Sequence, residues 1–172
     1  MSSDLTFKKA HISDLGLVLD ILNEGIDKQI QNGLQIWNRD LKQRTLEGIQ
    51  SDDTYLVYDA SKAIGTFRLA WTDDNWSDDD LAGYVHKIAT TKLASGDNTG
   101  KKILLMCAKL VIANKRRYIR LDVLSSNEKL KQYYLAMGFN YVTDGHAHKT
   151  SKFKTVCLYE IEAYSFIKQN QV

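Results

Sequence analysis

Three short stretches of this chain hold residue types that can do chemistry at useful spacing. The first is Ser95-Gly96-Asp97-Asn98-Thr99-Gly100-Lys101-Lys102, between an apolar run ending at Thr90 and another beginning at Ile103. A strand, a loop with two glycines and a helix start make an anion trap. The first helical amides have no intrahelical partners, the helix dipole is positive there, and glycine lets oxyanions approach the backbone. The second is His86, inside Tyr84 to Thr90. An imidazole with an ordinary pKa of about 6.5 can take a proton directly or through water. The third is Tyr134, inside Asn127 to Phe139. A phenol with an ordinary pKa of about 10 holds its proton at neutral pH and can give it to a departing group. Each has a plainer reading beside it: a structural histidine, a core aromatic and a solvated loop.

Two phosphate-loop types fail on the spacing. A Walker A loop needs four residues between its glycines and Lys-Ser/Thr after the second, whereas Asp97-Asn98-Thr99 separate Gly96 and Gly100, and Lys102 follows Lys101. A dinucleotide fingerprint, G-x-G-x-x-G near the first strand, is absent. His146 and His148 share a face of an extended segment but lack a third ligand at recognisable spacing, so no metal is expected. Asp73, Asp74, Asp78, Asp79 and Asp80 form an acidic stretch with Trp71 and Trp76, suited either to a cationic amine or to plain solvation.

The elements that must position these groups read as follows. Leu5 to Ala10 is a strand, and Ser13 caps a helix buried through Leu15, Val18, Leu19, Leu22 and Ile26. Trp37 to Gln50 is a weaker helix. Thr54 to Asp59 and Ala63 to Trp71 form a hairpin around Ala60-Ser61-Lys62. Tyr84 to Thr90 is a strand leading through the glycine loop into a helix that is apolar nearly all round, from Ile103 to Ala113. Tyr118 to Leu124 alternates as a strand. Ser125 to Glu128 reads as a capping box before a helix with Leu130, Tyr133, Tyr134 and Met137 on one stripe and Gly138 as terminator. Phe139 to Val142 and Phe153 to Ile161 close the chain as strands. The order β-α-α-β-β-β-α-β-α-β-β predicts a mixed α/β domain whose adjacent hairpins exclude an all-parallel sheet.

From Tyr84 to Phe139 the chain resembles the GCN5-related N-acetyltransferase (GNAT) family. Tyr84-Val85-His86-Lys87-Ile88-Ala89-Thr90 resembles that family's central strand, a hydrophobic run ending in Leu-Ala-Val. Ser95 to Gly100 falls on its pyrophosphate loop, commonly Arg/Gln-x-x-Gly-x-Gly/Ala. Asn127 to Phe139 is similar to its Asn-x-x-(apolar)-x-x-(aromatic)-Tyr-x-x-x-Gly-Phe segment. Ser95 departs from the usual Arg or Gln, and Asn98 stands where a middle glycine is common; Asn best tolerates the left-handed conformation the loop needs.

The resemblance implies a single-domain α+β fold over residues 1–172, with a mixed, mostly antiparallel sheet, splayed central strands and helices on both faces. It implies acetyl-CoA as cosubstrate and direct attack of a primary amine, on a small molecule or peptide, within a ternary complex. The backbone of Ile88, Ala89 and Thr90 would pair with the pantetheine arm, and the Ile88 amide would face the acetyl oxygen. Amides from Ser95, Gly96, Asp97, Asn98, Thr99, Gly100 and Lys101 would hold the diphosphate, with Lys101 or Lys102 adding charge. Asn127 would contact the cofactor arm, Tyr134 would be the acid, and His86 is the candidate base. A CoA-binding sensor of the same fold without turnover is the alternative.

Composition narrows the rest. With 172 residues, 44% hydrophobic and 26% charged, the chain suits one globular domain and excludes disorder as its main state. Cys107 and Cys157 sit in apolar runs rather than a disulfide framework, which fits a reducing cytoplasm. No apolar stretch approaches the ~20 residues of a membrane span, so no membrane partner is expected. Lys101, Lys102, Lys109, Lys115, Arg116, Arg117 and Arg120 make a basic run without aromatic interleaving, so no nucleic-acid partner is expected either. Monomer and homodimer both remain open.

Overall fold

Period-two alternation and helical stripes in this sequence build a seven-stranded sheet and five α-helices, seen in a computed structural model that describes residues 5–34, 41–77, 81–94, 96, 98–146 and 155–170. The strands are β1 (Thr6–Lys9), β2 (Thr54–Asp59), β3 (Lys62–Ala70), β4 (Ala82–Thr90), β5 (Tyr118–Leu124), β6 (Asn140–His146) and β7 (Thr155–Glu162). The helices are α1 (Leu15–Gln31), α2 (Lys42–Gln50), α3 (Thr99–Ala113), α4 (Glu128–Ala136) and α5 (Ala163–Asn170). The hydrogen-bonded order is β1-β2-β3-β4-β5-β7-β6. β1–β2, β2–β3, β5–β7 and β6–β7 are antiparallel and β4–β5 is parallel, the mostly antiparallel α+β arrangement expected. The β4–β5 ladder holds only the pairs Ala82–Tyr118, Gly83–Ile119 and Tyr84–Arg120, although both strands run on.

Contacts divide the chain into two compact units, residues 1–69 with 87–104 and residues 70–86 with 105–172. The first is organised by α1. Val18, Ile21, Leu22 and Ile26 recur at helical spacing, and all are buried with Leu41, Ile49, Leu56 and Ala89. Gly48 sets how closely α2 approaches β2 and β3: a Cβ there would lie 2.7 Å from the Thr54 Oγ1 and 3.4 Å from the Arg68 Cδ. The β2–β3 hairpin lies where expected, but its turn is Ala60-Ser61 alone, with Ala60 at φ +51° and Lys62 already paired with Asp59.

In the second unit β5 and β7 pair without interruption from Tyr118–Glu162 to Leu124–Val156. β6 pairs with β7 through an irregularity, because Tyr141 faces Tyr159 and Thr143 faces Leu158, leaving Val142 as an extra residue. Several members of the basic run are engaged within the chain. Arg120 donates to the Glu160 carboxylate at 2.9 Å and covers the Trp76 ring at 4.1 Å. Arg116 donates to the Trp71 and Ala82 carbonyls at 2.9 Å each, and Arg117 pairs with Glu162 at 2.9 Å.

Four local readings are corrected. The cap of α4 is Asn127, not Ser125: the Asn127 Oδ1 accepts from the Leu130 amide at 3.1 Å, which puts Glu128 at the first helical position. The chain does not end in strands, because α5 follows β7; Ala163 and Phe166, one turn apart, are both fully buried, a pair too short to announce a helical period. α3 is not apolar on every side in effect, since Ile103, Leu104, Cys107, Ala108 and Val111 are buried while Ile112 is 41% exposed. The cap expected at Ser13 is not made, because Ser13 lies inside a 3-10 turn (Ile12–Asp14) and α1 begins at Leu15 after Asp14. The described part of the second helix begins at Lys42; its expected start at Trp37 lies outside the described residues.

Gly138 ends α4 as expected, at φ +94°, with the Gly138 amide on the Leu135 carbonyl (3.0 Å) and the Phe139 amide on the Tyr134 carbonyl (3.1 Å). A Cβ there would also meet the Gln169 Oε1 at 2.8 Å and the Ile161 Cδ1 at 3.3 Å. Gly138→Ala is therefore expected to lower stability by about 1–2 kcal/mol, read by urea unfolding. An unchanged midpoint would mean that the left-handed turn carries no strain.

Candidate functional site

A strand of L-residues alternates its faces only while φ stays negative. In β4 that regularity breaks at Lys87, which has φ +50°. The alternation that would put His86 and Ile88 on one face is therefore interrupted between them. Ala89 is buried, and Ile88 and Thr90 are half-buried.

His86 sits between two carboxylates that the sequence did not connect to it. Its Nε2 lies 3.2 Å from the Asp73 Oδ2 and its Nδ1 lies 3.5 Å from the Asp122 Oδ1. A neutral imidazole has one N–H and can serve one of them; an imidazolium serves both. Burial by itself would lower the pKa, but the hydrogen bonds and charges of Asp122 and Asp73 outweigh it and raise it to about 9. At neutral pH this histidine is charged, and it can act as a base only after losing that extra proton. The three donor atoms lie within 4.8 Å of one another, so a metal ion would have to displace that proton. Asp73 belongs to the acidic stretch singled out in the sequence, whereas Asp122 looked like a routine polar residue of β5. Asp78, Asp79, Asp80 and His148 lie outside the described residues. The His146 main chain is clasped by Asn75, whose Nδ2 donates to its carbonyl (3.1 Å) and whose Oδ1 accepts from its amide (3.0 Å).

Tyr134 is buried on α4, edge-on to Tyr133 and Phe139 at centroid distances of 5.4 and 5.5 Å. Burial pushes its phenol well above the ordinary value, with smaller contributions from Tyr133, Asp122 and Cys107. It stays protonated across the accessible pH range, as a proton donor must. Asp122 thus acts electrostatically on both Tyr134 and His86. Asn127 is buried and spends its Oδ1 on the α4 cap, so its side-chain N–H groups are what it can offer a ligand.

The glycine loop enters α3 through two left-handed residues, Gly96 at φ +111° and Asn98 at φ +54°. A Cβ on Gly96 would meet nothing within 4 Å, so the glycine serves the turn and leaves open space above it. Ser95 and Asp97 lie outside the described residues. The Thr99 hydroxyl donates to the Ala94 carbonyl at 3.0 Å and ties the loop to the single 3-10 turn before it. The Lys102 amide donates to the Asn98 carbonyl at 3.0 Å and closes the first turn. The amides of Thr99, Gly100 and Lys101 precede that bond, at the positive end of a 15-residue helix. Lys101 and Lys102 are half-buried beside them.

The same architecture occurs in solved structures. An acetyltransferase of the GNAT family from Listeria monocytogenes matches with a TM-score of 0.72 and 23% identity, covering 93% of this chain and 95% of its own. yncA from Salmonella typhimurium, solved with its cofactor acetyl-CoA, matches at 0.67 with 12% identity over 94% and 95%. An N-acetyltransferase from Staphylococcus aureus matches at 0.65 with 16% identity over 94% and 99%. The fold is that of the GCN5-related N-acetyltransferases. No family model matches the sequence, and no curated protein does. Within this GNAT fold the segments that carried the sequence resemblance become β4, the loop into α3, and α4.

The His86 pair of ion contacts has a definite pH signature. Because its folded pKa lies above the unfolded value of 6.5, the stabilisation is fully present below pH 6.5 and is lost as pH rises through about 9. His86→Gln is expected to lower stability most at acid-to-neutral pH, with the gap to the natural protein closing above pH 9. A gap that is constant with pH, measured by denaturant unfolding, would show that His86 is not held as a cation.

Proposed function

We propose that this protein is an acetyl-CoA-dependent N-acetyltransferase that moves an acetyl group to a primary amine by direct attack within a ternary complex. The observation that carries the reading is the left-handed pair Gly96 and Asn98 feeding into the N-terminus of α3, in a chain with the GNAT fold. That turn presents the first amides of α3, which have no partner within the helix, and a helix dipole where a diphosphate would need them. yncA, with the same fold, is solved with acetyl-CoA, which supports a CoA thioester as the ligand here.

Acyl transfer asks three things of the chain: a donor for the developing oxyanion, a path for the amine proton, and a proton for the leaving thiolate. In this reading the Ile88 amide is the donor. The left-handed turn at Lys87 re-aims the backbone immediately before it and takes it out of a regular ladder. Tyr134 supplies the proton to sulfur as the C–S bond breaks, its high pKa ensuring that the proton is there. The amine loses its proton as its nitrogen bonds to the acetyl carbon. Below about pH 9 His86 is not free to take that proton, so over that range it passes to water. The carboxylates that hold His86 suit a site receiving a cationic amine.

Two substitutions test this. Tyr134→Phe should lower turnover by about 100-fold with little change in acetyl-CoA affinity, measured as free CoA thiol released across an amine library. Equal turnover at saturation would remove Tyr134 from the chemistry. Gly100→Val should weaken acetyl-CoA binding roughly tenfold or more by calorimetry, by crowding the α3 amides. Undiminished affinity would move the diphosphate elsewhere. Binding without thiol release from any amine would favour the sensor alternative.

A further inference from the structure

Within the first unit, residues of α1, α2, β2, β3 and β4 line a small open depression with a cavity volume of about 10 Å³. Leu22 and Phe67 line it together with three cationic residues, Arg44, Arg68 and Lys87. Thr45 also lines it; this residue is only 4% exposed and its Oγ1 has no hydrogen-bond partner among the described residues. The Arg68 Nε is likewise buried without a partner, although the Nη2 of the same guanidinium pairs with the Asp53 Oδ2 at 3.4 Å. A buried donor left unmade costs about 1–3 kcal/mol, so two of them in one depression point to a ligand that completes them.

The charges face the same way. Lys87 has no ion pair with any described residue; burial, then the positive charges of Arg44 and Arg68, push its pKa down to about 8, and Glu47 offsets this only in part. Glu47 is itself bonded to the Gln43 Nε2 at 3.0 Å, and Asp53 to Arg68. An oxyanion would relieve the repulsion and accept from the Thr45 hydroxyl, the Arg68 Nε and the Lys87 ammonium at once.

We propose that this depression is a carboxylate pocket for the acyl acceptor, so that the amine acetylated is one that carries a carboxylate. The step from anion site to acceptor site rests on the acetyl-transfer reading, in which the Ile88 amide, one residue from Lys87, faces the acetyl oxygen. An acceptor anchored by its carboxylate at Lys87 would bind beside the strand residue that precedes that amide, and its neutral amine would bond to the acetyl carbon as the thiolate leaves.

Two measurements separate the pocket from the transferase. In the first, the full chain with 13C-labelled lysine side chains is titrated by NMR with and without succinate, which has no amine. Succinate should raise the Lys87 midpoint from about 8 by roughly one unit, and the shift should vanish in Arg68→Met. Arg44→Met, at an exposed position, provides a second variant that keeps the fold and should halve the shift or more. In the second, thiol release is compared for α-amino acids and their carboxamides. Acids should be favoured about tenfold in kcat/KM, chiefly through KM, and Arg68→Met should erase the preference. A Lys87 midpoint that succinate does not move would overturn the pocket while leaving transfer to other amines intact. A moved midpoint with no thiol release from any amine would keep the anion site but overturn its assignment to an acceptor, together with the transferase reading. Equal rates on acids and carboxamides would also overturn that assignment, and with it alone.

Discussion

The backbone of β4 cannot stay regular. Lys87 is held at a positive φ that an L-residue adopts at a cost of about 1–2 kcal/mol, and the ladder to β5 ends just before it, at Tyr84. A strand that continued its ladder would spend every amide and carbonyl on its neighbour. This one keeps main-chain groups beyond Tyr84 out of the β4–β5 ladder, and main-chain groups are what a thioester arm lying in the manner of an extra strand would require. The side chains of Ile88 and Ala89 can then remain apolar without loss of chemistry.

The same irregular strand sets two adjacent side chains against opposite electrostatic surroundings. His86, between Asp73 and Asp122, is raised from 6.5 to about 9, while Lys87, half-buried and near Arg44 and Arg68, is lowered from 10.5 to about 8. Two groups whose ordinary values differ by four units are drawn together. Neither shift follows from residue type; each follows from which charges the neighbouring elements bring. The consequence is that a histidine, by reputation a base, keeps its second ring proton at neutral pH.

Much of this was legible along the chain, for stated reasons. β2 and β5 were read at their observed bounds because alternating side chains with turn residues on each side leave little choice. The glycine loop was legible because Asn tolerates the left-handed region, and Asn98 occupies it. α5 was not, since one buried turn of Ala163 and Phe166 after a strand gives no period to detect. Nor was the left-handed turn at Lys87, because lysine carries no preference for it. The groupings Asp73–His86–Asp122 and Arg44–Arg68–Lys87 were invisible for a different reason: each joins residues from separate elements, and only the sheet order brings them together. Asn127 shows the opposite case, a residue singled out for ligand contact that also performs the humbler task of starting a helix.

The extra residue at Val142 has an effect beyond β6 itself. β6 is the last strand of the sheet, and its outer rim would otherwise offer a straight row of peptide groups to any foreign strand. With one residue out of step between Tyr141 and Thr143, that row changes phase partway along. A visiting β-segment in register with one half is out of register with the other, so the sheet resists growing past its own boundary.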